Sequence, residues 1–250
     1  MKTEGMAFHL PLALLDDDDQ TALGLLRTYY GQPVFGPGAA TGALFDGWDS
    51  TGTRAKDTNR FTADDLVAVT FLSVSIPPTA ARDFLTDRAD QLTELLVALG
   101  SDRDLVDEVD PLTDDWAGWQ LMRALRAPHK MGSTKASKLL ARKRPRLRPI
   151  YDSVIAQATG SKDNLWEPLR LTLRGANDNA LHHRLLRLRT AAGLPEQISA
   201  LHVFDVIAWR EGKTSADPVR CGRPGEDKVS QLRRTLESAP PAGRGPRPGR

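Results

Sequence analysis

Strand-like alternation of apolar and polar residues is rare along this chain of 250 residues, and aromatic side chains make up only 6% of it. Several segments instead carry apolar residues on a helical period. The apolar fraction of 40% is enough for a real core. The sequence therefore predicts an all-α, mostly helical protein, long enough for one large domain or two small ones.

The composition excludes several kinds of site. The single cysteine, Cys221, rules out an intramolecular disulfide, a cysteine-based zinc site and a four-cysteine iron–sulfur cluster. No stretch reaches the roughly 20 apolar residues of a membrane span, and the first residues lack the pattern of a secretory signal. We therefore expect a cytoplasmic protein that has no membrane partner, with its oligomeric state left open.

Helix start and stop signals organise the rest of the chain. Residues 32–60, rich in Gly, Thr and Asp, read as an irregular segment with room for one short β-hairpin at 43–48. The helices are predicted over residues 16–31, 62–76, 79–100, 116–127, from 133 onward, 153–159, 165–174, 180–192, 197–210 and 226–237.

Three regions follow from this pattern. Residues 1–60 are expected to pack on a helical domain that spans residues 61–237. The tail 238–250 is too rich in Pro and Gly to fold, and we expect it to be disordered.

The most distinctive stretch is PHKMGSTKASKLLARKRPRLRPIYDS, residues 128–153. Residues 121–150 hold ten Lys or Arg side chains and no acid, and Asp152 is the first acid after them. The pattern predicts a tight hairpin at Gly132, a basic helix, and a short helix that begins at Asp152. Gly132 permits a positive φ or a close backbone approach. The helix that follows it presents unpaired N–H groups to an anion.

The charge is divided unevenly between the two halves of the chain. Residues 1–120 carry 8 basic and 21 acidic side chains, whereas residues 121–250 carry 26 basic and 11 acidic ones. One interpretation is an anionic partner for the second half, most plausibly nucleic acid. The other is that the two halves neutralise one another across an internal interface.

The segment from HKMGSTKASKLL to PIYDSVI resembles the signature of helix–hairpin–helix DNA glycosylases. In one ungapped register, Gly132 falls on the second hairpin glycine, Ala136 on the usual alanine and Asp152 on the catalytic aspartate. The resemblance covers residues 128–153 closely and residues 60–210 faintly. The chain as a whole also resembles an actinobacterial family of uncharacterised function.

This resemblance implies a protein that binds double-stranded DNA through its backbone and flips one base out of the stack. Asp152 would stabilise the positive charge that develops on the sugar, or activate water. Because Thr134 stands at the family's lysine position, a monofunctional, water-using mechanism is expected. The residues implied in phosphate binding are His129, Lys130, Gly132, Ser133, Thr134, Lys135 and Lys138.

Other interpretations stay open. Tyr151 is a candidate for stacking on the flipped base or for core packing, and Asp152 is also a suitable helix cap. Lys130 replaces the family's first hairpin glycine. No cofactor is expected, although the resemblance implies a monovalent cation held by hairpin carbonyls. The alternatives to a DNA N-glycosylase are a non-catalytic DNA-binding module and a structural or interaction protein.

Overall fold

The computed structural model describes residues 8–15, 18–161, 165–175 and 178–216. In these residues the fold is all helical and holds no β-strand, which confirms the predicted class. The chain divides into two units, Met1–Lys213 and Thr214–Arg250, and the helical core lies in the first. The α-helices of the described residues are α1 (Asp19–Tyr30), α2 (Ala63–Ala68), α3 (Pro78–Arg82), α4 (Ala89–Leu99), α5 (Ala117–Arg126), α6 (Ser133–Lys143), α7 (Ser153–Thr159), α8 (Trp166–Arg174), α9 (Ala180–Ala191) and α10 (Ala200–Ala216).

Local capping signals explain where several helices begin and end. The Asp18 side chain accepts a hydrogen bond from the Gln20 N–H and starts α1, which ends at Gly31 with a φ of 80°. Thr62 and Asp65 form a capping box at the start of α2. These starts follow from the local sequence, since the capping atoms lie within three residues of the groups they satisfy.

Two predicted elements are wrong. A 3₁₀-helix at Thr41–Leu44 and turns replace the β-hairpin expected at 43–48. Phe45 and Asp46 are adjacent and both are buried, whereas successive residues of a strand point to opposite faces. The apolar helix expected to reach residue 76 ends in a 3₁₀-helix at Val69–Leu72, because Ser73 adopts a left-handed backbone with a φ of 60°.

The predicted helix at 79–100 is interrupted. A π-helical turn spans Asp83–Asp87, and α4 begins only after Arg88. The Arg88 side chain reaches back to the carboxylate of Asp83 at 2.9 Å, which stabilises the break. The helix predicted at 226–237 and the tail 238–250 lie outside the described residues.

The first half of α10 is part of the core. Residues 200–208 are all buried, and apart from His202 and Asp205 their side chains are apolar. Its residues Leu201, Val203, Phe204, Val206, Ile207 and Ala208 are all at most 3% exposed. Elsewhere α5 packs against α4 and α6, α8 packs against α9, and α9 contacts α1.

Half of the basic stretch is inside the protein. The buried cations are Lys138, Arg142, Lys143, Arg144 and Arg148. They are five of the ten Lys and Arg side chains in residues 121–150. A buried cation is tolerated only when other groups replace its hydration, so the partners of these side chains matter for the whole fold.

Arg142 and Lys143 hold the irregular segment to the core. The Arg142 guanidinium donates to the carbonyls of Phe45, at 2.6 Å, and Trp48. The Lys143 ammonium donates to the Asp57 carbonyl at 2.9 Å. Both cations also pair with the Asp65 carboxylate in α2. One acid and two bases thus join α2, α6 and residues 45–57.

Arg144 connects the same segment to α4. Its guanidinium donates to the carbonyls of Gly100, Thr58 and Leu96 at 2.7–2.8 Å, and to the Asn59 side chain at 2.6 Å. The planar fork of an arginine suits several acceptors at once. The side chain is therefore a structural crosslink between three parts of the chain.

Arg148 is buried differently, between two indole rings. Its guanidinium carbon lies 3.4 Å from the ring centroid of Trp116 and 4.3 Å from that of Trp166. Trp119 stacks on Trp166 with centroids 4.0 Å apart. The attraction between a cation and the faces of aromatic rings contributes to holding α5 and α8 against the segment that precedes α7.

Some of the acidic side chains of the first half are neutralised by basic side chains of the second half within the protein. Acids of the first half and bases of the second form ion pairs in the described residues: Asp65 with Arg142 and Lys143, Asp104 with Arg146, and Asp19 with Arg184. This arrangement supports internal neutralisation for these groups. It leaves fewer cations for an external partner than the sequence suggests.

The buried arginine gives a stability prediction. Arg144→Met is expected to lower the free energy of unfolding by about 3–5 kcal/mol, because three backbone carbonyls lose their donor and each loss costs roughly 1–3 kcal/mol. Urea denaturation followed by circular dichroism measures the change.

Arg146→Met is the matched control, since Arg146 lies two residues away and pairs with Asp104 from a half-exposed position. We expect a loss below about 1 kcal/mol for it. Equal effects of the two substitutions would contradict the structural role assigned to Arg144.

Candidate nucleic-acid and base-binding site

The hairpin consists of residues 127–132 and connects α5 to α6, which pack against each other. Met131 is buried, and its N–H donates to the Pro128 carbonyl at 3.1 Å. Lys130 has a φ of 64°, the left-handed region that favours glycine. Lys130 thus adopts a backbone conformation that is typical of glycine.

Gly132 caps α6 with an extended backbone, at a φ of −97°, so no positive φ requires a glycine there. A Cβ atom built on it would meet nothing within 4 Å, and no side chain caps the helix. Neither backbone strain nor internal packing accounts for the glycine. Glycine is also an accepted N-cap residue, and here it leaves open space in front of the first N–H groups of α6.

Two of the hairpin carbonyls have hydrogen-bond partners within the protein. The Pro128 carbonyl accepts the Met131 N–H, and the Lys130 carbonyl accepts a hydrogen bond from the Lys135 ammonium at 3.2 Å. A cation at the Lys130 carbonyl would lie beside that ammonium, and the like charges would repel. Among the described residues no group of three or more His, Cys, Asp or Glu side chains could hold a metal ion.

The candidate phosphate-binding residues fall into two sets. His129, Lys130 and Gly132 are exposed, and Ser133, Thr134 and Lys135 are partly exposed at the N-terminus of α6. Lys138 belongs elsewhere, because it is buried and its ammonium donates to the Leu72 carbonyl at 2.9 Å. It lines a pocket behind the helix N-terminus and is not part of the outer surface.

This pocket has a volume of about 350 Å³. Its aromatic lining comes from Tyr29, Phe71 and Trp209, with the rings of Tyr29 and Trp209 in an edge-to-face contact, 6.1 Å between centroids. Tyr151 is not part of the lining. Its backbone bonds to the Ser137 hydroxyl and its ring packs against the core, so Tyr151 is in the place expected of a core residue.

Asp152 lies on the pocket wall, near Thr134. Its Oδ1 accepts the N–H groups of Val154 and Ile155, both at 3.0 Å, and so caps α7. Its Oδ2 is 3.8 Å from the Lys138 ammonium. The cap uses one oxygen, which leaves the other beside Lys138.

Burial lowers the pKa of the Lys138 ammonium, and the carboxylates of Asp152 and Asp205 partly offset this effect. Lys138 lies one helical turn after Thr134, so both side chains line the pocket from the same face of α6. The sequence comparison singled out Thr134 and Lys135, but the lysine near Asp152 is Lys138.

A second set of polar groups lines the pocket from α10. His202 and Asp205 are buried, and His202 contacts the Asp46 carboxylate. Sequence reasoning missed both, because it treated residues 197–210 as an apolar helix. Their spacing of three residues within that helix is the signal that could have found them, since it places both on one face.

The ionisation of these groups is perturbed. Burial raises the pKa of Asp205 well above its usual range, and the nearby carboxylates of Asp152 and Asp46 add to this effect. For His202 burial acts to lower the pKa, but Asp46 outweighs it and the pKa is raised. Burial also raises the pKa of Tyr29. Perturbed groups that gather in one pocket are typical of a functional site.

The chain belongs to a family of unknown function, DUF6308, whose model matches residues 22–212. No curated protein and no solved structure gives a significant match to the chain. The matched segment contains every residue that lines the pocket except Lys213. No helix among the described residues is long and apolar enough to cross a membrane.

The raised pKa of Asp205 gives a prediction on pH. In the folded protein this carboxyl group binds its proton more tightly than an unfolded aspartate, whose pKa is about 3.9. The stability of the wild type should therefore fall, relative to Asp205→Asn, as the pH rises above about 4. Urea denaturation of both proteins from pH 4 to pH 8 measures this, and a difference that stays constant over that range would contradict it.

Proposed function

We propose that this protein is a DNA-binding monofunctional N-glycosylase that excises a modified or damaged base. One observation carries the proposal: Asp152, Thr134 and Lys138 lie on the wall of an aromatic pocket, next to the N-terminus of α6, which no side chain caps. A grip for the phosphate backbone, a space for one base and a carboxylate are thus adjacent. The resemblance to helix–hairpin–helix glycosylases over residues 128–153 supports the same function.

The proposed phosphate-binding surface is small and depends mainly on backbone N–H groups. The N–H groups at the start of α6 and the helix dipole favour an anion. Gly132 leaves open space over them, and Lys130 and Lys135 add positive charge. Arg142, Lys143 and Arg144 bind protein carbonyls, so we do not expect them to bind DNA. With the remaining groups we expect the protein to contact about two or three phosphates. Each contact contributes roughly 0.9 to the dependence of log K on log salt concentration.

The pocket suits one base that has left the stack. Its volume of about 350 Å³ falls within the range of small-molecule sites. The rings of Tyr29 and Trp209 provide apolar surface for a planar group. Enzymes that act on a base in duplex DNA extrude it into such a pocket.

Asp152 carries the chemistry in this proposal. When the N-glycosidic bond breaks, positive charge develops on the sugar, and the Oδ2 of Asp152 would stabilise it. A water molecule adds to the anomeric carbon, Asp152 takes up a proton from it, and the base leaves with the bonding electron pair. The Lys138 ammonium donates to the Leu72 carbonyl. We therefore assign the attack to water and not to a lysine.

A non-catalytic DNA-binding module is the second candidate. The observation that favours it is the cap: Asp152 accepts two backbone N–H groups of α7, which is a sufficient structural reason for an aspartate there. The two candidates share the phosphate grip and differ only in the use of the second carboxylate oxygen.

Excision is tested with duplexes that each carry one modified base. We expect the wild type to produce abasic sites on at least one duplex, and Asp152→Asn to be slower by a factor on the order of 10²–10³. Asparagine caps a helix about as well as aspartate, so thermal unfolding of the variant should match that of the wild type. Borohydride should trap no covalent adduct with either protein.

Two results would count against this function. If both proteins bind the duplexes equally and neither excises any base, the non-catalytic module is the better explanation. If borohydride traps an adduct that disappears in Lys138→Met, the attacking group is a lysine and the water-using route is wrong.

The phosphate grip has its own test in Gly132→Ser. Serine is a good helix cap, so the variant should be at least as stable as the wild type. Its side chain occupies the open space, and we expect the affinity for a 20-base-pair duplex to fall by about tenfold at 50 mM salt. Fluorescence anisotropy measures the affinity. The control variant is Gly193→Asn, which replaces a glycine that has a left-handed backbone and lies 61 positions further along the chain.

Unchanged affinity of Gly132→Ser would rule out the approach of a phosphate at this helix terminus. Lys130→Ala and Lys135→Ala should each lower the salt slope by roughly 0.9 if each lysine meets one phosphate. Arg146→Ala, an exposed cation that already pairs with Asp104, should leave the slope unchanged.

A further inference from the structure

The Asp205 carboxyl group has one oxygen without a hydrogen-bond partner among the described residues. Its Oδ2 accepts the backbone N–H of Ile150 at 2.7 Å, and Oδ1 has no partner. The residue is only 3% exposed, yet it lines the pocket. Buried polar atoms in proteins are nearly always hydrogen-bonded, so an unsatisfied one in a residue that lines a pocket is available to bond a group that enters the pocket.

Titratable groups from several elements face this carboxyl group. Those that interact with it electrostatically are Tyr29 and Tyr30 in α1, Asp46 in the irregular segment, Lys138 in α6, Asp152 before α7 and His202 in α10. Burial and the two other aspartates raise the pKa of Asp205. The group therefore keeps its proton to a higher pH than an ordinary aspartate does.

The location of the proton follows from the hydrogen bonds. Because Oδ2 accepts the Ile150 N–H, a neutral carboxyl group carries its proton on Oδ1, the oxygen that has no partner among the described residues. In this state Asp205 is a hydrogen-bond donor. No acceptor atom for this donor is present among the described residues.

We propose that Asp205 is the specificity-determining residue of the pocket and that its Oδ1–H donates to a ring nitrogen or carbonyl oxygen of a planar heteroaromatic base. The proposal rests on the function proposed above, since it names what the base must offer. The aromatic rings of Tyr29 and Trp209 account for the planar shape of the ligand. A site built to bond one polar atom rejects analogues that lack it.

Two substitutions distinguish a donor from an acceptor. In Asp205→Asn the side-chain carbonyl can still accept the Ile150 N–H, and the amide N–H₂ takes the place of the donating O–H. In Asp205→Leu the shape is similar but the donor is absent. If Asp205 acts as an ionised acceptor instead, both variants lose the ligand bond.

The experiment measures the binding of free adenine, guanine, hypoxanthine, cytosine and uracil to the full chain by calorimetry at pH 6. We expect at least one base to bind the wild type. Asp205→Asn should bind that base within about threefold, and Asp205→Leu at least about tenfold more weakly, as for a lost hydrogen bond in a buried site. Thermal unfolding checks that each variant is folded.

A pH series adds a second measurement that does not depend on the leucine variant. Binding to the wild type should weaken as the pH rises and Asp205 loses its proton. Binding to Asp205→Asn should change much less over the same range.

Several results would overturn the proposal. They are equal loss in the Asn and Leu variants, no loss in the Leu variant, the same pH dependence in the wild type and the Asn variant, or no binding of any base to the wild type at millimolar concentration. The outcome is separable from that of the excision assay. Base binding that follows Asp205 without any excision would leave this inference standing and remove only the glycosylase.

Discussion

The fold depends on a small set of buried cations at the end of α6 that bond to backbone carbonyls. Arg142, Lys143 and Arg144 together hold residues 45–59, the end of α4 and the Asp65 carboxylate of α2. Residues 32–60 contain no α-helix, so their peptide groups need partners from elsewhere. Side-chain donors from α6 supply part of that need, and in return the carbonyls replace the water that the cations lose on burial.

The same helix then serves two purposes along its length. Its C-terminal half is a structural crosslink, and its N-terminal half, from Ser133 to Lys138, borders the pocket and the open surface. The crosslink also reaches the site indirectly, because Asp46, which contacts His202 at the pocket, lies in the segment that Arg142 holds. A change in the buried cations is therefore expected to disturb the pocket as well as the stability.

Local signals could be predicted well from the sequence, and long-range ones could not. The helical class, the helix start at Thr62 and the cap at Asp152 depend on atoms a few residues apart, and the structure confirms them. The burial of Arg142, Lys143 and Arg144 depends on acceptors that lie 44 to 97 positions away along the chain. The sequence therefore does not reveal that half of the basic stretch is internal. The roles of His202 and Asp205 could not be predicted for the same reason, because their partners lie on other elements. The sequence indicates Asp152 as a candidate site residue, but it does not predict that Tyr29, Phe71 and Trp209 line a pocket beside it.

We propose that one base enters the pocket while the phosphate beside it binds the N-terminus of α6. A crystal structure of Asp152→Asn bound to a duplex that it cannot cleave tests this most directly. We expect a phosphate oxygen within hydrogen-bond distance of the N–H groups that follow Gly132, and an unstacked base in the pocket, against Tyr29 and Trp209, that meets Asp205. DNA bound on another face, or a duplex that stays fully stacked with the pocket empty, would contradict the claim.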